Sequence, residues 1–403
     1  MASFRLKRFA NVAVLKRTDP ALLMAFLTPF REFLVDRRRL AWPDDPMDVD
    51  YTELAEILMS PAEDTPDELL DALYFVDNLA DGDCYDRLLE EAQEAGIDLG
   101  ANDLSPEDLA LRIWLADRNI LERVHAEQYR IRPKTFRSYF AYEATPHEWE
   151  CPDADLHKAL QDNLNLWFDF KRKGRGARVF FFPKEDAVWM LVRHGQRIRR
   201  EGTVESDGGS GSIFYRPEKF DVLVYYPNTG ELAIHADTKG EREIYCRLLG
   251  SYLFGDPEYF RFEYPIAKYT LEPLIDLGQD AMACADIDGI AFVHLSELHM
   301  RHAAEQKDIE IRRADNVFTA LARQRRQLDE ERLATRLLRA KFRITFVGGR
   351  ERMVTIEPPN IASFDRETDT SMVYDWLASR GFMLTENTNE YEDHQSDILL
   401  GVA

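Results

Sequence analysis

Two runs of β-branched and aromatic residues, 220–226 and 231–236, flank the tetrapeptide Pro227-Asn228-Thr229-Gly230. Proline presets one turn dihedral, asparagine tolerates a left-handed backbone, and glycine takes a positive φ without steric cost. Such a junction predicts an antiparallel hairpin. Two registers are open. If Tyr226 sits opposite Glu231, Asp221 falls opposite Ala236; a one-residue bulge at Gly230 would put it opposite Asp237 instead. Further strand-like runs lie at 178–182 and 187–192, with a shorter one at 290–294. A helix carrying Leu156, Leu160, Leu164, Trp167, Phe168 and Phe170 precedes them, capped by Asp153 or Asp155. Another helix is expected at 241–254, and the glycine- and serine-rich stretch 206–212 reads as a loop.

Before this region the hydrophobic period changes to helical. Thr18-Asp19-Pro20 starts a segment with Leu22, Leu23, Phe26, Leu27, Phe30, Phe33 and Leu34 on helical spacing. Thr65-Pro66-Asp67-Glu68 and Ser105-Pro106-Glu107-Asp108 read as two further starts, with a cap, a proline at the first helical position and a carboxylate behind it. Gly82 and Gly96 stand where helix ends are expected. No constant repeat period follows from the similar starts. The early basic residues Arg5, Lys7, Arg8, Lys16 and Arg17 lack a following apolar core and are read as structure, not as an address signal.

After residue 300 a long arginine-rich helix is expected at about 303–338, followed by strands at 341–346 and 353–356 across Gly348-Gly349. A helix at 371–380 and a strand at 382–384 complete something the size of a winged helix. The predicted fold class is therefore α+β and multi-domain. Residues 1–133 form an acidic helical bundle, and 134–300 a mixed α/β domain with a β-hairpin sheet. Residues 301–385 form the basic helix with a small winged-helix-like unit, and 386–403 an acidic tail.

Charge is strongly segregated. Residues 42–108 hold 22 acidic residues against one base, Arg87, while 301–352 hold 14 bases and eight acids in a chain of net charge −22. An acidic surface repels phosphates and attracts basic partners, so the 42–108 face is expected to engage a basic protein. Arg312, Arg313, Arg323, Arg325, Arg326, Arg332, Arg336 and Arg339 are the expected contacts to a partner, nucleic acid among them, because the guanidinium fork matches phosphate. Asp329, Glu330 and Glu331 interrupt the run and can pair with it. The four cysteines, Cys84, Cys151, Cys246 and Cys284, form no CxxC pair and no close framework. No run of about 18 apolar residues is present, so no membrane partner is expected and a cytoplasmic location is.

Catalytic motifs are few. There is no GxxxxGK[ST] loop and no GxSxG elbow, and His294, Glu297, His299 and His302 lack the HExxH order of a zinc helix. The hairpin carries the best candidate: Asp221, Asp237 and Lys239 crowd one end. Two carboxylates can hold a divalent metal that activates water, and an ammonium can stabilise developing negative charge. These residues and the surrounding element order resemble the PD-(D/E)xK restriction-endonuclease-like nucleases. The resemblance implies Mg²⁺ or Mn²⁺ on Asp221 and Asp237 and a catalytic Lys239. It departs where Lys219-Phe220 replaces the proline before the first aspartate and where Asp237 stands at the variable position. The reading favoured by charge is a non-enzymatic binding or scaffold protein without a cofactor, acting through the acidic face and the arginine helix. A metal-dependent nuclease is the alternative.

Overall fold

In the computed structural model, residues 1–5, 10, 62–63, 101–103, 130–134, 142–150, 185, 205–207, 264–265, 303–307, 325–334, 366–369 and 385–403 fall outside the described part. The chain is α+β and divides into two units, residues 1–128 and 129–403.

The first unit is helical: α1 (Val12–Leu15), α2 (Pro20–Leu27), α3 (Tyr51–Met59), α4 (Asp67–Leu79), α5 (Gly82–Glu94), α6 (Pro106–Ala116) and α7 (Arg118–Gln128). Side-chain caps set several starts. Asp19 accepts from the Ala21 and Leu22 amides, and Ser105 Oγ accepts from the Asp108 amide. α4 starts one residue later than expected, with Pro66 at the cap position. Gly82 does not end a helix but opens α5 behind the Asp81 cap; Gly96, at φ 69°, follows that helix's end. Leu23, Phe26, Leu27, Leu69, Leu73, Val76, Leu109 and Ile113 share one core, as their spacing requires. One acid on the apolar side is buried with cause. Asp77 accepts from the amides of Lys7, Arg8 and Phe9 at 2.9, 2.7 and 3.2 Å, pinning the preceding segment to α4.

The second unit is built on a ten-stranded sheet in which every pair is antiparallel. In chain order its strands are β1 (Thr135–Phe140), β2 (Arg178–Pro183), β3 (Val188–Gly195), β6 (Glu218–Tyr226), β7 (Glu231–His235), β8 (Ile290–His302), β9 (Asp308–Arg313), β10 (Thr335–Phe346), β11 (Glu351–Glu357) and β12 (Ile361–Ser363). A separate ribbon, β4 (Arg199–Val204) with β5 (Ser210–Tyr215), leaves the sheet between β3 and β6. The spatial order is β2-β3-β6-β7-β1-β12-β11-β10-β8-β9. On one face of the β2-to-β1 half lie α8 (Ala154–Phe170) and α9 (Lys239–Phe254), packed through Leu160, Leu164, Phe168, Tyr245 and Leu249. The β11-to-β9 half is covered on the opposite face by α10 (Glu272–Asp276), α11 (Val317–Arg323) and α12 (Thr370–Ser379), around Phe342, Trp376 and Phe382.

Several expectations are corrected. The long helix at 303–338 is instead β9, α11 and the start of β10, with 325–334 outside the described residues. In β9, Ile309 and Ile311 alternate with Glu310 and Arg312, a period of two that pairs with β8. The strand expected at 290–294 runs on to His302, so a boundary at 300 would cut through a paired strand. The strands assigned to a winged-helix-like unit do pair across Gly348-Gly349, but as members of the large sheet. Part of the expected 206–212 loop is strand β5. The acidic tail at 386–403 lies outside the described residues.

Candidate functional site

The hairpin forms in the unbulged register. Tyr226 pairs with Glu231 and Val222 with His235, so Asp221 is level with Ala236. Gly230, at φ 61°, takes the left-handed turn position. Along β6, Lys219, Asp221, Leu223 and Tyr225 alternate onto the face under α8 and α9. On β3, His194 stands two residues beyond Val192 on that same face and pairs with Lys219. Capping brings in one more acid. Thr238 caps α9, its hydroxyl accepting from the Glu241 amide at 3.2 Å, while Glu241 Oε2 accepts from the Thr238 amide at 2.8 Å. This reciprocal cap turns the Glu241 carboxylate inward, where it is fully buried.

Ligand atoms of His194, Asp221 and Glu241 all lie within 4.8 Å of one another. His194 Nδ1 faces the Gly195 carbonyl at 2.9 Å and Nε2 faces Asp221 Oδ2 at 3.1 Å, with Glu241 Oε1 at 3.9 Å. A neutral imidazole has a single N–H. It therefore donates either to the Gly195 carbonyl or to Asp221 Oδ2, and in the first tautomer Nε2 offers the lone pair that a metal ion would take. Phe168 stacks on the ring at a centroid distance of 4.1 Å and fixes its plane. Tyr245 donates to Asp221 Oδ2 at 2.7 Å.

Two ammonium groups flank the acids. Lys173 bonds Glu241 Oε1, and Lys219 Nζ lies 2.7 Å from Asp221 Oδ1 and 3.0 Å from Asp237 Oδ2. Lys219 Nζ and Asp221 Oδ1 are buried and close, yet neither is in an aligned hydrogen bond. Burial alone would raise the Asp221 carboxyl; the His194 bond and the Lys219 charge outweigh it and hold it below its ordinary range. Burial would lower the Lys219 ammonium, but the charge and bond of Asp221, the bond to Asp237 and the Glu241 charge together outweigh it and raise it. The Tyr245 hydroxyl is pushed well up, first by burial and then by the Asp221 charge. The donor set of one imidazole and two carboxylates suits Mg²⁺, Mn²⁺ or Zn²⁺.

The sequence-predicted residues divide. Asp221 is in the cluster. Asp237 stands at its rim, 69% exposed and joined to it through Lys219. Lys239, the first residue of α9, points its ammonium over the Phe262 ring at 5.7 Å and makes no contact with Asp221 among the described residues. The ammonium expected from Lys239 is supplied by Lys219, two residues before Asp221 on the same strand face, and by Lys173. His194, Glu241 and both lysines were missed. The Thr-x-x-Glu spacing from Thr238 was a readable sign of a helix start, and His194 continues the inward period of Met190 and Val192.

Of the arginines, Arg312 and Arg313 lie on β9, Arg323 ends α11, and Arg336 and Arg339 lie on β10; Arg325, Arg326 and Arg332 fall outside the described residues. Arg312 pairs with Glu310 at 2.6 Å and Arg313 with Glu297 at 2.6 Å. His299 also bonds Glu297 and His302 bonds Glu310, while His294 is 3.3 Å from Asn316, so these histidines on β8 have separate partners. Compared with models of known protein families and with curated proteins, the chain matches none. No helix among the described residues is long and apolar enough to cross a membrane.

Proposed function

We propose that the second unit is a metal-dependent phosphodiester hydrolase acting on nucleic acid, with its centre at His194, Asp221 and Glu241. The observation that carries this reading is the convergence of these three ligand atoms beside two lysines. Asp221, Glu241 and His194 Nε2 would hold Mg²⁺ or Mn²⁺, which when bound supplies a Lewis acid and lowers the pKa of water. The chain's own groups do the rest. Tyr245 and Phe168 lock the aspartate and the imidazole in place. Lys173 and Lys219 neutralise the acids in the free protein and, being the less buried members, are placed to transfer their charge to an incoming phosphate. Asp237 holds Lys219 at the rim.

The test is cleavage of labelled DNA and RNA with Mg²⁺ or Mn²⁺, beside Mn²⁺ titration calorimetry. Asp221→Asn and Glu241→Gln should each lose at least about 100-fold in rate and most metal binding; Lys219→Ala should lose rate while keeping metal. Metal binding and cleavage untouched in folded Asp221→Asn would end the reading.

The first unit supports a second, separable reading as a docking module for a basic protein. The supporting observation is the surplus of carboxylates in 42–108, although part of it caps helices, as Asp50 and Asp81 do. Capture of a partner that is released by salt and lost on reversing exposed acids of α3 and α5 would support it; a partner held equally by the reversed protein would not.

A further inference from the structure

The face of the sheet that carries α8 and α9 continues past them. Register follows it strand by strand: Ile234 to Arg137, Arg137 to Ile361, then Thr355 opposite Ser363 and Lys341 opposite Thr355. On β10 this face displays Arg339, Lys341 and Arg343, alternating with core residues Ala340, Phe342 and Ile344, and also Arg336, which an irregularity between Leu337 and Arg339 brings to the same side. Helices α10 to α12 pack on the opposite side, against those core residues. Arg301 pairs with Arg336 on the neighbouring strand, and none of these five cations has an acidic partner among the described residues. The buried Nε atoms of Arg301 and Arg339 have no hydrogen-bond partner among the described residues. Among the described residues, cations on the face, Arg313 included, outnumber its carboxylates Glu297, Glu351 and Glu357, and Glu297 is already spent on His299 and Arg313.

An aromatic lies beside the stripe. Phe292 is 62% exposed on β8, and its ring is within 7° of parallel to that of His294 on the same face. Alternate residues on a strand are about 6.8 Å apart, so the β10 cations span about 20 Å. Planar guanidinium groups in a row recognise phosphates, and exposed flat rings on an open sheet stack unpaired bases. An acidic protein would use the cations but not the rings.

We propose that this face is a track for single-stranded nucleic acid. It deepens the hydrolase reading and rests on it for its purpose, because one cross-strand row leads from Lys341 through Thr355 and Ser363 to Thr135. The Thr135 carbonyl lies 2.8 Å from His235 Nδ1 on β7, one strand from Asp221. A strand on the track would deliver its backbone toward the end of the sheet where the acids converge.

The test is fluorescence anisotropy with fluorescein-labelled 20-mers of single-stranded DNA, single-stranded RNA and duplex DNA, in EDTA. Both single strands, or one of them, should bind more tightly than duplex. The triple variant Arg339→Ala, Lys341→Ala, Arg343→Ala should bind at least about 10-fold more weakly, and its log K against log salt slope should be shallower by about 2. Phe292→Ala should weaken binding by about fivefold or more, across sequences. A folded triple variant with wild-type affinity, preference for duplex, or equal competition by polyglutamate would overturn the track. Metal-independent binding without any cleavage would sink the hydrolase and leave the track standing; cleavage unaffected in the triple variant would do the reverse.

Discussion

Lys268 shows what a buried charge demands. Its ammonium lies 2.6 and 2.7 Å from the two oxygens of Glu231, which also accepts from Ser138 Oγ, and it sits against the rings of Tyr269 and Tyr374. Lys268→Met strands the carboxylate in a dry site and should destabilise the protein by about 3–5 kcal/mol. Adding Glu231→Leu should recover much of that in urea melts; a double variant as weak as the single would contradict the explanation. Glu297 gives a pH prediction. Burial would raise its carboxyl, but bonds from His299 and Arg313 outweigh it and lower it from 4.5. The folded value lies below the unfolded one, so its contribution is present above pH 4.5 and lost as pH falls through the lowered value. With Arg313 largely exposed, that contribution is on the order of 1 kcal/mol. Glu297→Gln should cost this at pH 7 and nothing near pH 2; a gap independent of pH would refute the assignment. Neither pairing was legible, since Glu231 and Lys268 meet only after β7 is folded beside the following loop.

Among elements, the start of α9 links folding to the site. Thr238 and Glu241 close the capping box, and the same glutamate turns its other oxygen toward His194. Thr238→Ala should lower stability by about 1 kcal/mol and also weaken Mn²⁺ binding, because the carboxylate loses its hold. Stability lost with Mn²⁺ affinity intact would show that the cap does not position the ligand. The hairpin before α9 was legible because turn chemistry is local, whereas the choice between its unbulged and bulged registers came only with the strand pairing. The segment after 300 was not. Arginine suits a helix intrinsically, yet Arg312, Arg336 and Arg339 lie in strands because β8 offers a long partner and β10 buries Ala340, Phe342 and Ile344. Tertiary pairing overrode propensity.

The scale of the whole molecule decides what can be cut. Strand β1 lies between β7 and β12, so the sheet closes only when residues more than two hundred positions apart meet. A fragment ending at residue 300 would lack β9 to β12, exposing the edges of β1 and β8 and the apolar side of the sheet. It should be insoluble or lack a cooperative melt, whereas residues 129–403 should fold alone and keep the Mn²⁺ response. A soluble, cooperatively folding 1–300 fragment, checked by circular dichroism and amide exchange, would contradict the continuous sheet.

The sequence alone determined the features that arise within a few residues: the helical first unit, the caps at Asp19 and Ser105, the hairpin, and Asp221 as an acid on its first strand. Those follow from local sterics, turn chemistry and hydrophobic period. Only the tertiary structure decided that Lys219 and Lys173 stand where Lys239 was expected, and that His194 and Glu241 complete the acid cluster. It also turned an expected arginine helix into a basic stripe along one strand. These outcomes depend on which strands lie side by side, and that is set by burying two extended faces of one sheet at once, a condition no short stretch of chain records.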